Sequence, residues 1–530
     1  MNKSLFTVNN KPFFSIGGQL NNSSCFNIKN IKQGFEVAKE LGLNTVALPI
    51  YWSMIEPKED RYDYSIIDNI VKVSNEYDFK LVIIWFGSYK NGASQYIPSW
   101  VIENDIDYIK AEGSTHRVLN KISPLCKKAK EKDALALRKT LEYINKTPIK
   151  DKMIALQIEN EVGLLGSARD YSPLAEEKFN ANIPLDMFEF INSLQEGYIF
   201  DKYAANIDIN KNWKENFKLD AEEIFSAYYF AKYLEFVAAE ARKVTNVPFY
   251  INTWTRENGI RIPGTSYPSG GPTSRMIPIY KHFAKTILAI SPDLYCGDYD
   301  SYMYQCKQYS RDDNILYIPE TACNYNSFKL SVRAVEDYNL CSLHVFGINM
   351  LVDENGQLIP NAKLFKNVVS IYKSISTLLL KYQGTNRIKA IYEMEGQYDQ
   401  FIEFEHASFQ VKFFKNHVDV ATHVQPARRH NDNMNIQPIG FVIDAGDGIY
   451  YLAGQGFSIV PVMIDNDPTK LNDATVSNEF LLTRNYIYSY VTHGYLNGDN
   501  NYIITDYVTG DETDHGIVAE IEAGLIRFKI

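Results

Sequence analysis

Cysteine is scarce in this chain, with six among 530 residues. Cys25, Cys126, Cys296, Cys306, Cys323 and Cys341 are scattered and form no C-x-x-C pair. A disulfide scaffold is therefore excluded, a structural zinc has no ligand set, and reduced, packed thiols are expected. No apolar run reaches the ~18–20 residues of a membrane helix. The opening Met1-Asn2-Lys3-Ser4-Leu5-Phe6 lacks the apolar core of a signal peptide, so a cytoplasmic protein is expected, although a chain trimmed of its leader would read the same. The Asn22-Ser23-Ser24 sequon then carries little weight. Positive charge is also in short supply: 54 Lys and Arg against 64 Asp and Glu leave a net charge of −10. That balance argues against a nucleic-acid partner, which needs clustered Lys and Arg. Of the nine His, His423 and His430 lack metal-ligand spacing, and His344 reads best as a satisfied core residue. Gly270-Gly271 is followed by no helix-start Lys-Ser/Thr, so it is a turn and not a phosphate loop.

What is present is a large apolar inventory, 45% of residues, with 13% aromatic. This excludes a disordered chain and calls for two domains. Up to about residue 380, short apolar runs alternate with helical patterns. The runs are Phe13–Gly17, Thr45–Ile50, Lys80–Phe86, Met153–Glu159, Pro248–Thr253, Pro292–Tyr295, Ile315–Pro319 and Ser342–Gly347. Most are apolar nearly throughout, as in a parallel sheet covered on both faces. Helices are predicted at Ile28–Leu41, stopped by Gly42, at Glu222–Val244, and at about 361–382. Eight strands with intervening helices predict a (β/α)8 barrel over residues 1–385, with an insertion over its mouth around 164–220.

After Lys381 the pattern changes. All five Trp lie before this point, and residues 381–530 hold 20 Asp and Glu against 11 Lys and Arg. Gly454, Gly456, Gly494, Asn497, Gly498 and Asp499 read as turns. Phe413, Val418, Val420 and the run 449–452 are strand-like, and His430–Gln437 is a polar loop. The final strand alternates, with Ile526, Phe528 and Ile530 on one face and Arg527 and Lys529 on the other. Residues 386–530 are read as an antiparallel β-sandwich.

Active sites of such barrels sit at the carboxyl ends of the strands. The fourth run ends Gln157-Ile158-Glu159-Asn160-Glu161 and the seventh ends Tyr317-Ile318-Pro319-Glu320. Each sets a carboxylate at the mouth. Two carboxylates facing one cavity are what glycoside hydrolysis uses. Glu159 could share a face with Glu161 by alternation, but Glu161 lies at the mouth and follows Asn160, which favours it. Gln19, Trp85, Asn91, Trp254 and Tyr295 end or follow other strands. They are candidate sugar-hydroxyl partners or aromatic walls, with ordinary core packing as the alternative for each Trp. Trp52 and Trp100 are read as structural, and Glu56 as a loop or cap residue.

Asn160-Glu161 together with Glu320 resembles the retaining glycosidases of clan A. The chain is similar to glycoside hydrolase family 35, the β-galactosidases, in Gly42-Leu43-Asn44-Thr45-Val46, Tyr51-Trp52 with Glu56-Pro57, Pro98-Ser99-Trp100, Gln157 to Gly163, Pro263-Gly264 with Tyr267 to Pro272, and Ile318-Pro319-Glu320. It is most similar to a bacterial subgroup that carries Gly18 to Ser24 and Trp85 to Gly92 and ends in a β-rich domain. The resemblance implies a retaining exo-β-galactosidase. Glu320 would attack the anomeric carbon, Glu161 would act as acid and then base, and Asn160 would bond the sugar 2-hydroxyl, with the two carboxyls ~5–5.5 Å apart. It implies a carbohydrate substrate, no metal or other cofactor, and no membrane partner; a homo-oligomer is left open. The chain departs from family 35 where a Cys-Ala-Glu segment gives way to Phe86-Gly87-Ser88-Tyr89, and where a Tyr at the end of the second strand is replaced near Pro49. Another retaining β-glycosidase, or a carbohydrate-binding protein without catalysis, are the alternatives.

Overall fold

The computed structural model of the chain describes residues 4–257, 260–417, 436–462, 488–513 and 516–530. Val418, Val420, His423 and His430 therefore lie outside the described residues.

Seven parallel strands form a curled sheet: β1 (Ile16–Gln19), β2 (Thr45–Tyr51), β3 (Lys80–Lys90), β4 (Met153–Asn160), β5 (Phe249–Trp254), β6 (Ala289–Asp293) and β7 (Leu343–Phe346). Their order is β6-β5-β4-β3-β2-β1-β7. The expected strand at 315–319 is not a ladder strand. Residues 315–321 instead occupy the gap between β6 and β7 through single bridges, Leu294 with Thr321 and Ile318 with Leu343. Ile318 N–H donates to Ser342 O (3.2 Å), and its own carbonyl accepts from His344 N–H (2.9 Å). Pro319 has no N–H to continue a ladder. The ring is thus closed by backbone hydrogen bonds at this position. The strand expected at 292–295 is shifted to Ala289–Asp293, so that Asp293 ends it and Tyr295 follows it.

The helices follow the sequence pattern closely. In α1 (Ile28–Leu41) the Asn27 side chain caps Lys29 N–H, Gly42 closes the end at φ 74°, and Ile31, Phe35, Ala38 and Leu41 are buried. Four more are used below: α2 (Lys127–Ile144), α3 (Ala221–Arg242), α4 (Tyr325–Tyr338) and α5 (Pro360–Tyr382). Between β4 and α3 the insertion folds as short helices that seat their aromatic rings on α3. Phe179 and Trp213 both meet Phe225, with centroids 5.2 and 5.3 Å apart. Within the barrel, His344 is fully buried between Ser15 Oγ (2.7 Å) and Tyr317 OH (2.8 Å), and burial pushes its pKa down to about 3. It is a neutral core residue.

Two antiparallel sheets follow. One has the order Ile388–Tyr392, Ile439–Gly446, Ile449–Gln455, Leu525–Lys529, Tyr490–Leu496, Tyr502–Tyr507; the other has Asp399–Glu403, Ser408–Phe413, Phe457–Val462, Ile517–Ala519. Phe409, Val411, Leu452, Ile459, Ile526 and Phe528 fill the space between them. The opposite face of the larger sheet lies on α4 and α5. Phe441 packs edge-on against Tyr372, Ala390 N–H donates to Glu336, and Asn367 donates to Gln455. Gly454 and Gly494 are strand residues and not the turns expected. A Cβ at Gly454 would come within 2.7 Å of the Phe457 ring, and one at Gly494 within 2.1 Å of Ile503 O. Close approach, not chain reversal, requires glycine there. All six cysteines are free thiols. Among the described residues no helix is long and apolar enough to cross a membrane.

Candidate active site

The carboxyl ends of the barrel strands bring Gln19, Lys90, Asn160, Glu161, Asn252, Asp293 and Glu320 into one buried place. Glu320, at the end of the bridging segment, is held by three donors: Gln19 Nε2 (2.9 Å) and Asn160 Nδ2 (3.4 Å) on Oε1, and Tyr295 OH (3.0 Å) on Oε2. Three donors on one carboxylate fix its direction. Glu161 lies next to Asn160 in a left-handed backbone conformation, φ 44°. A non-glycine residue in that region is uncommon and is held there by its surroundings. Here the hold is Asn252 on β5, whose Oδ1 accepts the Glu161 N–H (2.9 Å) and a Gln157 amide hydrogen (3.1 Å). Burial and the nearby Glu320 raise Glu161 to about 7, against the opposing influence of Lys90. One carboxyl is thus kept ionisable only near neutrality while its neighbour is clamped by donors, the arrangement that separates acid from nucleophile.

Glu159 takes no part. It also has a positive φ, 60°, so simple alternation past Ile158 fails. The pairing of β3 with β4 slips here, from Trp85 opposite Ile158 to Lys90 opposite Asn160. Residues 86–89 bulge out, and the backbone N–H groups of Gly87, Ser88 and Tyr89 all converge on the Glu159 carboxyl (3.2, 3.1 and 2.7 Å). Burial and Asp133 on α2 hold Glu159 well above the usual carboxylate range. It is a buried plug for the bulge. A Cβ at Gly87 would meet Asp133, Trp85 and Glu159 at 2.4–2.6 Å. Gly87→Ala is expected to cost about 1–3 kcal/mol, read as a lowered Tm, through overpacking of this plug.

Trp85, a candidate wall in the sequence, is a correction: it is wholly buried, and its Nε1–H donates to Asp133 on α2 (2.8 Å). The bulge begins after it, so its ring stays with the helix layer. Asn91 does reach the site's edge. Its N–H donates to Asn160 O (3.2 Å), and its side chain accepts from Lys90 Nζ. Trp254 and Tyr295 are exposed, 38% and 47%, at the ends of β5 and β6.

Three further members were not singled out from the sequence. Lys90 Nζ is buried and donates to Asn160 Oδ1 (2.8 Å). Asn252 bridges β4 and β6. Asp293 accepts from Asn252 Nδ2 on its Oδ2 (2.7 Å) and meets the Glu161 carboxyl. Lys90 was visible as a cation embedded in a buried run; Asp293 stood behind Pro292 and Asn252 inside an otherwise apolar strand. Among the described residues no cluster of His, Cys, Asp and Glu is arranged to hold a metal ion.

With this geometry the comparisons can be placed. Residues 24–225, which contain β3, β4 and Glu161, match the family model of glycoside hydrolase family 42, described as β-galactosidase. Over this part the chain is similar to a glycoside hydrolase domain. The family model that matches is that of family 42 and not the family 35 expected from the sequence; Phe86-Gly87-Ser88-Tyr89, which departs from the family 35 pattern, forms the bulge. Residues 370–520 match a domain of unknown function, DUF5597. No curated protein matches the chain. Among solved structures, a catalytic mutant of a family 42 β-galactosidase from G. stearothermophilus aligns with TM-score 0.51 at 16% identity, over 73% of this chain and 59% of that one. The β-galactosidase from Bacillus circulans sp. alkalophilus aligns with TM-score 0.50 at 12% identity, over 70% and 57%. This chain therefore spans about three fifths of the length of these two. At such identities the likeness is one of fold.

Proposed function

We propose that the chain is a retaining exo-β-galactosidase acting by double displacement. The observation that carries this reading is the pairing of Glu161 and Glu320 in one buried site, with opposite treatment by their neighbours. Glu320 attacks the anomeric carbon as the glycosidic bond breaks, and the proton of Glu161 goes to the leaving oxygen. The Glu320–sugar ester then removes the negative charge that helped hold Glu161 protonated. Glu161 becomes the base that takes a proton from the attacking water, while the ester bond breaks and returns Glu320. Asn160, already beside Glu320, is placed to bond the sugar 2-hydroxyl. Trp254 and Tyr295 offer aromatic surface at the mouth, and Gln19 and Asn91 offer polar contacts. The match of residues 24–225 to the β-galactosidase family model supports galactose as the sugar.

Turnover of a panel of nitrophenyl β-glycosides tests the sugar; glucoside or mannoside activity without galactoside activity sinks it. Trapping with a 2-fluoro galactoside, followed by peptide mapping, is expected to label Glu320. Because Glu161 must be protonated to act first, kcat/KM is expected to fall as pH rises through about 7. A pH profile that is flat there removes Glu161 from the acid role.

A further inference from the structure

The site holds one more acid than double displacement needs. Glu161, Glu320 and Asp293 are all buried, and Lys90 is the one buried ammonium shown among them. Buried charge is costly unless paired, so three carboxyl groups beside one ammonium are not all ionised together. In the free site Glu320 is the carboxylate held by three donors, while Lys90 acts on Glu161 and Asp293. Once Glu320 is esterified and Glu161 has given its proton away, Glu161 is the carboxylate that Lys90 balances. Asp293 is the acid that need not change at either step.

Its hydrogen bonds say what it does with its proton. Asn252 Nδ2 donates to Asp293 Oδ2, and Asn252 Oδ1 is occupied by Glu161 N–H and Gln157. The orientation of the Asn252 amide is therefore fixed. Asp293 Oδ1 is buried with no N–H or O–H donor, on a residue whose carboxyl meets that of Glu161. Two carboxyl groups in contact require a proton between them. The other titratable groups facing Asp293 are the phenols of Tyr250, Tyr295, Tyr309 and Tyr317, all pushed upward by burial and neutral.

We propose that Asp293 is a positioning residue for the acid/base: it keeps its proton through the cycle and gives Glu161 a hydrogen bond from Oδ1, never the proton itself. The proton delivered to the leaving group and recovered from water belongs to Glu161 throughout, so Asp293 enters no net transfer. Asn252 locks the side chain by donating to Oδ2 while also holding the Glu161 backbone, so the same amide sets both partners.

The inference rests on Glu161 being the acid/base, and its test separates the two. In Asp293→Asn the amide oxygen must face Asn252 Nδ2, which turns the amide N–H toward Glu161 as a permanent donor. That variant is expected to exceed Asp293→Ala in kcat on phenyl and 2,4-dinitrophenyl β-galactosides by about fivefold or more, with the alkaline limb of the pH profile unmoved. Asp293→Ala is expected to lose about 10- to 100-fold in kcat with KM little changed, the scale of one hydrogen bond to a charged group. The infrared difference between wild type and Asp293→Asn at neutral pH is expected to show the loss of one protonated-carboxyl band. Asp293→Asn no more active than Asp293→Ala, a downward shift of its alkaline limb, a missing band, or Asp293→Ala within threefold of wild type each overturns the proposal. If Asp293→Ala fails to fold, the Asn variant and the band decide. If Glu161→Gln retains full turnover of the phenyl galactoside, the acid/base reading fails instead, while the band still reports the proton on Asp293.

Discussion

Glu320→Gln abolishes turnover, by roughly 10⁴-fold or more, the scale on which loss of a covalent nucleophile acts. It leaves galactose binding largely intact, because the amide fills the same space. The geometry gives the reason for both halves of this expectation. Gln19, Asn160 and Tyr295 all donate to Glu320. A glutamine can still accept from donors through its oxygen, so the pocket keeps its shape, but its amide nitrogen cannot attack the anomeric carbon. The measurement is kcat on an aryl galactoside alongside calorimetric titration with galactose. Loss of neither activity nor binding would remove Glu320 from the nucleophile role; loss of both would make it a structural residue.

Glu161→Gln separates leaving groups. On a phenyl galactoside, whose oxygen must be protonated as it departs, turnover falls by about 10²–10⁴-fold, the usual contribution of a positioned acid. On a 2,4-dinitrophenyl galactoside the first step needs no acid, so the fall in kcat/KM is much smaller. The second step still lacks its base, and the glycosyl-enzyme on Glu320 accumulates, detectable by intact mass. Equal losses on both substrates would mean that the substitution has disturbed binding, and Glu161 would lose its assigned role. The backbone at residue 161 sits at φ 44° and is held through Asn252. Since that contact uses the main-chain N–H, the side-chain change leaves it in place.

Much of this site was legible because strand ends are legible. Gln19, Asn160, Glu161, Tyr295 and Glu320 each follow an apolar run, and the barrel gathers such positions at one rim. The bulge after Trp85 was not legible. Parity counting carries a strand's faces forward only while the ladder is regular, and here four residues are looped out and tied to a buried carboxyl. Trp85 was consequently placed at the mouth, and Lys90 was passed over. Asp293 was hidden because the strand was expected at 292–295, which put Tyr295 and not Asp293 at its end. The seventh barrel position had the right residues but, with Pro319 in it, too few N–H groups to form a ladder. In the β-rich part, Gly454 and Gly494 were read as turns because local composition does not reveal that a neighbouring backbone or ring crosses at that point.

One side of the larger tail sheet meets its partner sheet and the other lies on α4 and α5, the two helices that flank the seventh and eighth positions of the ring, while its edge strand Tyr502–Tyr507 is largely exposed. Glu320 hangs from the seventh position by a few backbone bonds. The tail thus braces the least regular part of the barrel wall from outside, and the steadiness of Glu320 is owed in part to residues more than a hundred positions downstream of it.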